Sequence, residues 1–470
     1  MSLRRALTGV TLTLGLMSGL LPGAAMASGG STLMVDNDGY ASPGHCGSNV
    51  HAARHIQDAI GSAQPGDTIL VCPGTYTEQV LILNTNGLTI RSTKQWGAVI
   101  MPPKVLEGSY MVGIGLSHDV SFQGFKLVIP TTGDCTDISS AILLLGTTST
   151  IIRGNQIRAA GPGTLGPCGY EVGIGLGEQF IGPAAAAVGV SAVPGPTRAS
   201  IIFNTIRDFQ AAGIAASDPG TFVTISRNSI RYFHLNHTSN DQCLNTVTSV
   251  TSAGSSVRSH LRQLVRGLPE QGVGIAADVP FACLAAGIIT GLGARAIVKD
   301  NRVHSGPDSV PDLGPVSAAT TPVLLAGIVN LEADSAKPTR IADNTVYRTI
   351  ADIGVVGALG TIVDGNRLTS AGVGIYLDSV KHVLVQDNKV TDNMAGIAMV
   401  DALFHAFDSH ANRLLGNHVG GNFEGSCIDQ TLDANSSYPG DLGTDNHWQG
   451  NTAETDSSEP HGICGASSAP

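Results

Sequence analysis

With 470 residues, 59 of them glycine, 4 % aromatic and only 13 % charged, the chain has the composition of a protein made of many tight turns and small inward side chains. Its 37 acidic residues outnumber 26 basic ones, for a formal charge of −11, which argues against nucleic-acid backbones and anionic membrane surfaces as partners. The length would allow two or three average domains, but a solenoid grows by adding coils and needs no second core.

Residues 1–27 read as a signal peptide: Arg4 and Arg5 open it, Ala6 to Leu21 is largely apolar, and Ala25-Met26-Ala27 offers a small-x-small cleavage site. The mature protein is therefore expected to be secreted, extracellular or periplasmic. No later segment is long and apolar enough to span a bilayer. Residues 28–64 follow as an N-terminal strand, LMVDN from Leu33, and a helix. Ser48 or Asn49 can cap that helix, which would run to about Ala63 with Val50, Ala53, Ile56, Ile60 and Ala63 on one face. Pro65-Gly66 stops it.

From residue 65 onward the chain repeats. Asn344, Asn366 and Asn388 follow short β-branched runs at steps of 22 residues, and Gly354, Gly374 and Gly396 recur more loosely, each followed by Ile or Val. A fixed period of this size, filled with runs of three to five Val- and Ile-rich residues, predicts stacked coils of short strands. Asn155, Asn204, Asn228 and Asn301 mark further coils, with Gly173-Ile174, Gly213-Ile214, Gly287-Ile288 and Gly327-Ile328 as the matching pairs. The asparagines are expected to stack as a ladder of side-chain amides at the strand spacing of about 4.8 Å.

The stretch HIQDAIGSAQPGDTILVCPGTYTEQVLI resembles the capping helix and first coil of the pectin-lyase-like superfamily, and the IxxNxI…GI coils resemble its repeat. The resemblance implies an all-β solenoid, a right-handed parallel β-helix over residues 65–470, with the helix covering the open end of the core. That superfamily includes polysaccharide lyases, hydrolases, epimerases and noncatalytic binders, so the fold leaves the chemistry open.

Three stretches break the period. Residues 130–170 and 304–324 read as Gly/Pro-rich loops. Residues 236–285 contain SSVRSHLRQLVRGL, in which Val257, Leu261, Leu264, Val265 and Leu268 fall at helical spacing and Arg258, Arg262 and Arg266 form an i, i+4 row. This helical flap is either a packing element or a lid whose arginines meet an anionic ligand such as a uronic-acid chain. A C-terminal cap is expected over residues 427–470, with Trp448 over the end of the core.

Eight cysteines in an exported chain suggest disulfides. Because a solenoid keeps sequence neighbours close, the expected pairs are Cys46–Cys72, Cys135–Cys168, Cys243–Cys283 and Cys427–Cys464. None has the C-x-x-C spacing of a zinc or redox site.

Recognised catalytic signatures are missing: no adjacent Asp pair followed by Gly-His-Gly, no Asp-Pro-His-Asp, no Gly-x-Ser-x-Gly elbow and no His-Glu-x-x-His helix. What remains is a doubled Asp-x-x-x-His, Asp378 with His382 and Asp401 with His405, offset by 23 residues. Stacked in register, the carboxylates would lie about 5 Å apart. That separation suits a retaining glycosidase, which keeps one carboxyl protonated, or a bound cation such as Ca2+, which keeps both ionised. The count from each glycine differs by one residue, and Glu178, Asp218 and Glu332 sit at similar corners, so an acid there is also a habit of the repeat. A copper site would draw on His382, His405, His410, Met394 and Met399. Taken together, these features predict a secreted monomer that binds or cleaves an extracellular, acidic polysaccharide; the alternative is a noncatalytic surface or envelope protein that binds a cell-envelope ligand or a metal ion.

Overall fold

Runs such as TIRS, TIIR and RLT send one side chain inward and its neighbours outward. None can bury its apolar side alone, so each depends on strands stacked above and below it. The computed structural model describes residues 30–129, 138–159, 170–177, 195–209, 212–232, 286–305, 324–331, 338–400, 409–431, 445–454, 457–459 and 461–466. Through these the chain winds as a right-handed parallel β-helix with three sheets of 13, 13 and 11 strands. Each full coil contributes one strand to each sheet; in one coil these are Ile362–Asp364 in sheet 1, Arg367–Thr369 in sheet 2 and Val373–Asp378 in sheet 3. All three pair in parallel with the strands of the coil before and the coil after.

The predicted amide ladder stands at the turn from sheet 1 to sheet 2. Asn155, Asn204, Asn228, Asn301, Asn344, Asn366 and Asn388 are linked in that order, each Nδ2 donating to the Oδ1 of the next asparagine, and Asn417 and Asn451 extend the row. The next coil's Oδ1 also accepts the backbone N–H of each residue, so one side chain satisfies two buried donors. The residue before each asparagine turns the corner with positive φ: Gly365 at 65°, Asp343 at 55° and Asp387 at 54°. Asp and Gly are the residues that reach this region most easily.

The core follows from the same register. In sheet 3, Val112, Ile142, Ile174, Ile214, Ile288, Ile328, Ile353, Ile375 and Ile397 stack inward as one column that ends on Cys427, all buried. Strands of sheets 1 and 2 alternate buried and exposed residues, whereas those of sheet 3 are buried on both faces. A second apolar row, Ala215, Ile289 and Val329, lies on the outer face of sheet 3, with the pair Leu331 and Val356 two places along the strands.

Four expectations need correction. The N-terminal helix spans Ile56–Ser62 and not 48–63; residues His45–His51 pair antiparallel with Tyr40–Ser42 instead. The Cys46–Cys72 disulfide ties that hairpin to the end of strand Thr68–Val71, so Val50 is exposed and Ser48 caps nothing helical. The helix is instead capped from outside, with both carboxylate oxygens of Glu78 accepting the N–H groups of Ile56 and Gln57 at 2.9 Å. The opening strand Thr32–Val35 already belongs to sheet 1 and pairs with Thr68–Val71. Residues 130–170 are not one loop: Ile138–Leu145, Thr150–Arg153 and Gln156–Ala159 are strands of three different sheets, driven by the apolar run AILLL and the Asn155 turn. Finally, Gly354 is not the repeat's glycine, because register sets it opposite Tyr376; the residue that matches Gly327 and Gly374 is Asp352. Glycine recurs there because neighbouring coils touch: a Cβ at Gly327 would lie 2.1 Å from Val346 Cγ1.

As expected, the helix covers the first coil. Ile56, Ala59 and Ile60 join the main core, and Gln57 exchanges two hydrogen bonds with the backbone of Leu81 on the outermost strand of sheet 3. At the other end Trp448 packs against the core and donates its Nε1–H to Asp429 at 2.9 Å. The expected signal peptide, the expected helical flap with Arg258, Arg262 and Arg266, and the cysteines 135, 168, 243 and 283 lie outside the described residues.

Candidate functional site

The chain leaves sheet 3 and returns to sheet 1 through a corner whose geometry the repeat dictates. In the coil that carries the sequence-nominated acid, strand Val373–Asp378 alternates Ile375 and Leu377 inward with Tyr376 and Asp378 outward. Asp378 is the last strand residue, with Val356 and Val400 as its register neighbours. Its carboxylate is buried, with 0 % of the residue exposed. Tyr376 donates its hydroxyl to Oδ2 at 2.9 Å, and Ser379 donates its own to Oδ1 at 3.2 Å. Tyr376, half-buried, packs on both outer-face apolar clusters of sheet 3. His382 stands exposed four residues later with a φ of 55°, in the turn toward sheet 1.

Register thus sets a valine, not a carboxylate, beside Asp378. Asp401 is the residue after Val400, and it and His405 lie outside the described residues. The member of the site that sequence reading missed is Tyr376. Its signal was there, since a residue two places before Asp378 in a strand shares its face, but a lone tyrosine in a strand reads first as packing.

Two further acids of sheet 3 are buried. Asp429 accepts hydrogen bonds from the Thr431 hydroxyl at 2.8 Å and from Trp448, so it is a structural anchor for the C-terminal end. Asp352 occupies the glycine position described above, fully buried. The Thr349 hydroxyl donates to its Oδ1 at 2.8 Å, while Oδ2 has no hydrogen-bond partner. Burial pushes its pKa well above the usual carboxylate range, against the Thr349 hydrogen bond, which favours the ionised form.

Among the described residues, one group of three carries metal-ligand atoms close enough to share an ion: Asp36, Cys46 and Cys72. Its sulfurs are joined in a disulfide and offer no thiolate. The copper set does not hold together as drawn from sequence: Met399 faces the core, fully buried, with its sulfur 3.7 Å from Asn412 Nδ2. The disulfides Cys46–Cys72 and Cys427–Cys464 are present, and no described cysteine is free. No helix among the described residues is long and apolar enough to cross a membrane.

No family model and no curated protein matches the chain. Solved structures do. The Dettilon tailspike protein superposes with a TM-score of 0.51 at 13 % identity, over 87 % of this chain and 63 % of the tailspike, so this chain spans less than two thirds of that protein's length. A pectate lyase aligns at 11 % identity with a TM-score of 0.39, over 78 % of this chain and 80 % of its own. The A-module of an Azotobacter vinelandii mannuronan C-5 epimerase aligns at 11 % identity with a TM-score of 0.38, over 78 % and 88 %. The tailspike likeness agrees with the sheets described above: the fold is the right-handed parallel β-helix.

Proposed function

We propose that this protein is exported and binds a linear extracellular polysaccharide along the axis of its solenoid, with cleavage of the polymer at the border where the chain leaves sheet 3. The observation that carries this reading is topological. From strand Thr68–Val71 to strand Thr452–Ala453, every departure of more than five residues between successive described strands of a coil adjoins sheet 3, and the passage from sheet 1 to sheet 2 never exceeds five; only the last turn, from Thr452–Ala453 to Gly465–Ala466, leaves and rejoins sheet 2. The residues nominated from sequence belong to those departures. Arg258, Arg262 and Arg266 fall in the stretch that leads into strand Ala286–Gly291, Asp378 and His382 end one strand and begin the next turn, and Asp401 and His405 follow strand Ala395–Val400. In this reading the arginines hold an anionic chain at the entry border, and the Asp and His residues at the exit border act on it or hold a cation such as Ca2+. Export is supported by the N-terminal apolar segment and by two disulfides in a chain without a C-x-x-C motif.

The test is a panel of acidic and neutral glycans, with and without chelator, on the parent and on Asp378→Asn. Turnover lost in the variant and indifferent to chelator supports acid–base chemistry at the exit border; binding lost with chelator supports a cation there. If Asp378→Asn matches the parent in turnover, binding and melting temperature, Asp378 only anchors Tyr376 and the catalytic part of the reading fails. A parent that binds glycan without consuming it leaves the noncatalytic binder.

A further inference from the structure

Charge is distributed unevenly among the three sheets. No described strand of sheet 3 contains Lys or Arg, whereas those of sheet 2 contain seven basic residues and no Asp or Glu, and those of sheet 1 seven basic residues and one acid, Asp364. The acids near sheet 2 sit at its corners, where Asp208 and Asp392 take positive φ.

Register arranges the basic residues of sheet 2 in two outward columns along the solenoid. The first runs Lys126, Gln156, Thr205, Ser229, Arg302, Thr345, Arg367, Lys389, His418. In the second, Arg158 stands one place beyond the Ile157–Ile206 pair, so it faces Arg207; Arg207 pairs with Arg231, and Arg231 with His304. Three arginines on successive coils are thus about 4.8 Å apart at the backbone, an arrangement of like charges that weakens a sheet by itself. Their fields reach Lys126: burial first, then the Arg158 and Arg207 charges, hold its ammonium below its ordinary pKa. Farther along, Arg302, Arg367 and Lys389 are exposed, and Arg302 donates two hydrogen bonds to the Tyr347 hydroxyl, the shorter at 2.7 Å. Arg367 and Lys389 make no ion pair among the described residues and stand directly opposite each other. Partners of the same kind occur on both sheets: on sheet 1 Arg340 pairs with Asp364, and Arg153 and Arg295 lie over the rings of Phe203 and Phe222, while on sheet 2 Arg207 pairs with Asp208 at 3.8 Å and Arg302 lies over the Tyr347 ring.

We infer that the outer face of sheet 2 is a docking track for a linear acidic polysaccharide, which runs along the solenoid axis from Lys126 to Lys389 and is separate from the borders of sheet 3. The inference rests on the polysaccharide reading above and adds to it a second surface. A polymer with one carboxylate or sulfate per sugar presents anions at a regular step, as the coils present cations. Side chains of Arg and Lys can follow such a chain without a deep cleft, which explains how a protein with few aromatic residues could hold a glycan.

The experiment is equilibrium binding of the full exported chain to polygalacturonate, alginate, a neutral dextran and single-stranded DNA, across a salt series. Three exposed residues are changed together, Arg302→Gln, Arg367→Gln and Lys389→Gln, beside Asp378→Asn as a separate variant. The track predicts that the triple variant loses at least about tenfold in affinity for the acidic glycans at low salt and that its salt slope falls by about two. Dextran should not bind, and a charge-matched control on sheet 1, Arg91→Gln with Lys299→Gln and Arg413→Gln, should bind the acidic glycans as the parent does. Parent-like binding by the triple variant, with loss in Asp378→Asn, overturns the track and leaves the polymer at sheet 3. DNA bound as tightly as the glycans overturns the choice of polymer. A parent that binds no glycan overturns the inference together with the reading beneath it.

Discussion

Asp352 shows what a single residue costs when it breaks a column. The column wants glycine because adjacent coils approach too closely for a side chain, yet one coil places a carboxyl there, with one oxygen held by Thr349 and the other unpartnered. Burial raises its pKa above the ordinary 3.8, so the folded state holds a proton that the unfolded chain releases. Below that value both states are neutral and the group is no burden. As pH rises above it, the unfolded state gains, and stability falls by about 1.4 kcal/mol per pH unit until the folded carboxyl itself ionises. Asp352→Asn keeps the acceptor for Thr349 and removes the titration. It should melt like the parent near pH 4 and at a higher temperature above neutrality, measured by calorimetry across pH. A parent whose stability is flat over that range would show that Asp352 is ionised in the fold.

At the level of an element, the amide ladder decides how well coils register. Asn344 accepts both the backbone N–H and the Nδ2–H of Asn301 at 3.0 Å and donates to Asn366 and to the Val298 carbonyl. Asn344→Ala strands those buried groups and should destabilise by roughly 2–4 kcal/mol in chemical denaturation. Asn344→Asp keeps shape and acceptor but cannot donate once ionised. Its loss should therefore be large near neutral pH and partly recovered in acid, when the carboxyl regains one donor. Equal stability of parent and Asn344→Asp at neutral pH would mean that shape, and not the amide donors, carries the ladder.

For the whole molecule the weak points are the two ends, since a solenoid exposes unpaired strands there. The N-terminal end is closed by a helix of only seven residues, held by Glu78, Gln57 and three apolar side chains. The C-terminal end is closed by Trp448 and the Cys427–Cys464 disulfide, which locks the last residue of the inward column. Ile56→Asp combined with Ile60→Asp should lift the helix and leave a protein that associates end to end, seen by light scattering as mass rising with concentration where the parent's does not. If the double variant keeps the parent's mass at every concentration, the hairpin Tyr40–Ser42 with His45–His51 is sufficient to guard that edge.

Local signals were enough for the parallel β-helix, for the ladder from Asn155 to Asn388, and for the Cys46–Cys72 and Cys427–Cys464 pairs, because each depends on a short motif repeated at a constant step. Other features needed the fold. The helix shortened to Ile56–Ser62 because a disulfide and a hairpin outside it claimed residues 45–51, and local helical spacing carries no record of such competitors. Gly354 looked like Gly374 in the sequence, but only register reveals that Asp352 takes the glycine's place. Asp378 likewise seemed stackable with Asp401, whereas the pairing puts Val400 beside it. The basic track on sheet 2 is the clearest case: Lys126, Arg158, Arg207, Arg231, Arg302, Arg367 and Lys389 are spread over more than half of the chain, with no local pattern to connect them. They share a face only because parallel coils of unequal length return each strand to the same sheet, and that depends on contacts between residues far apart in sequence.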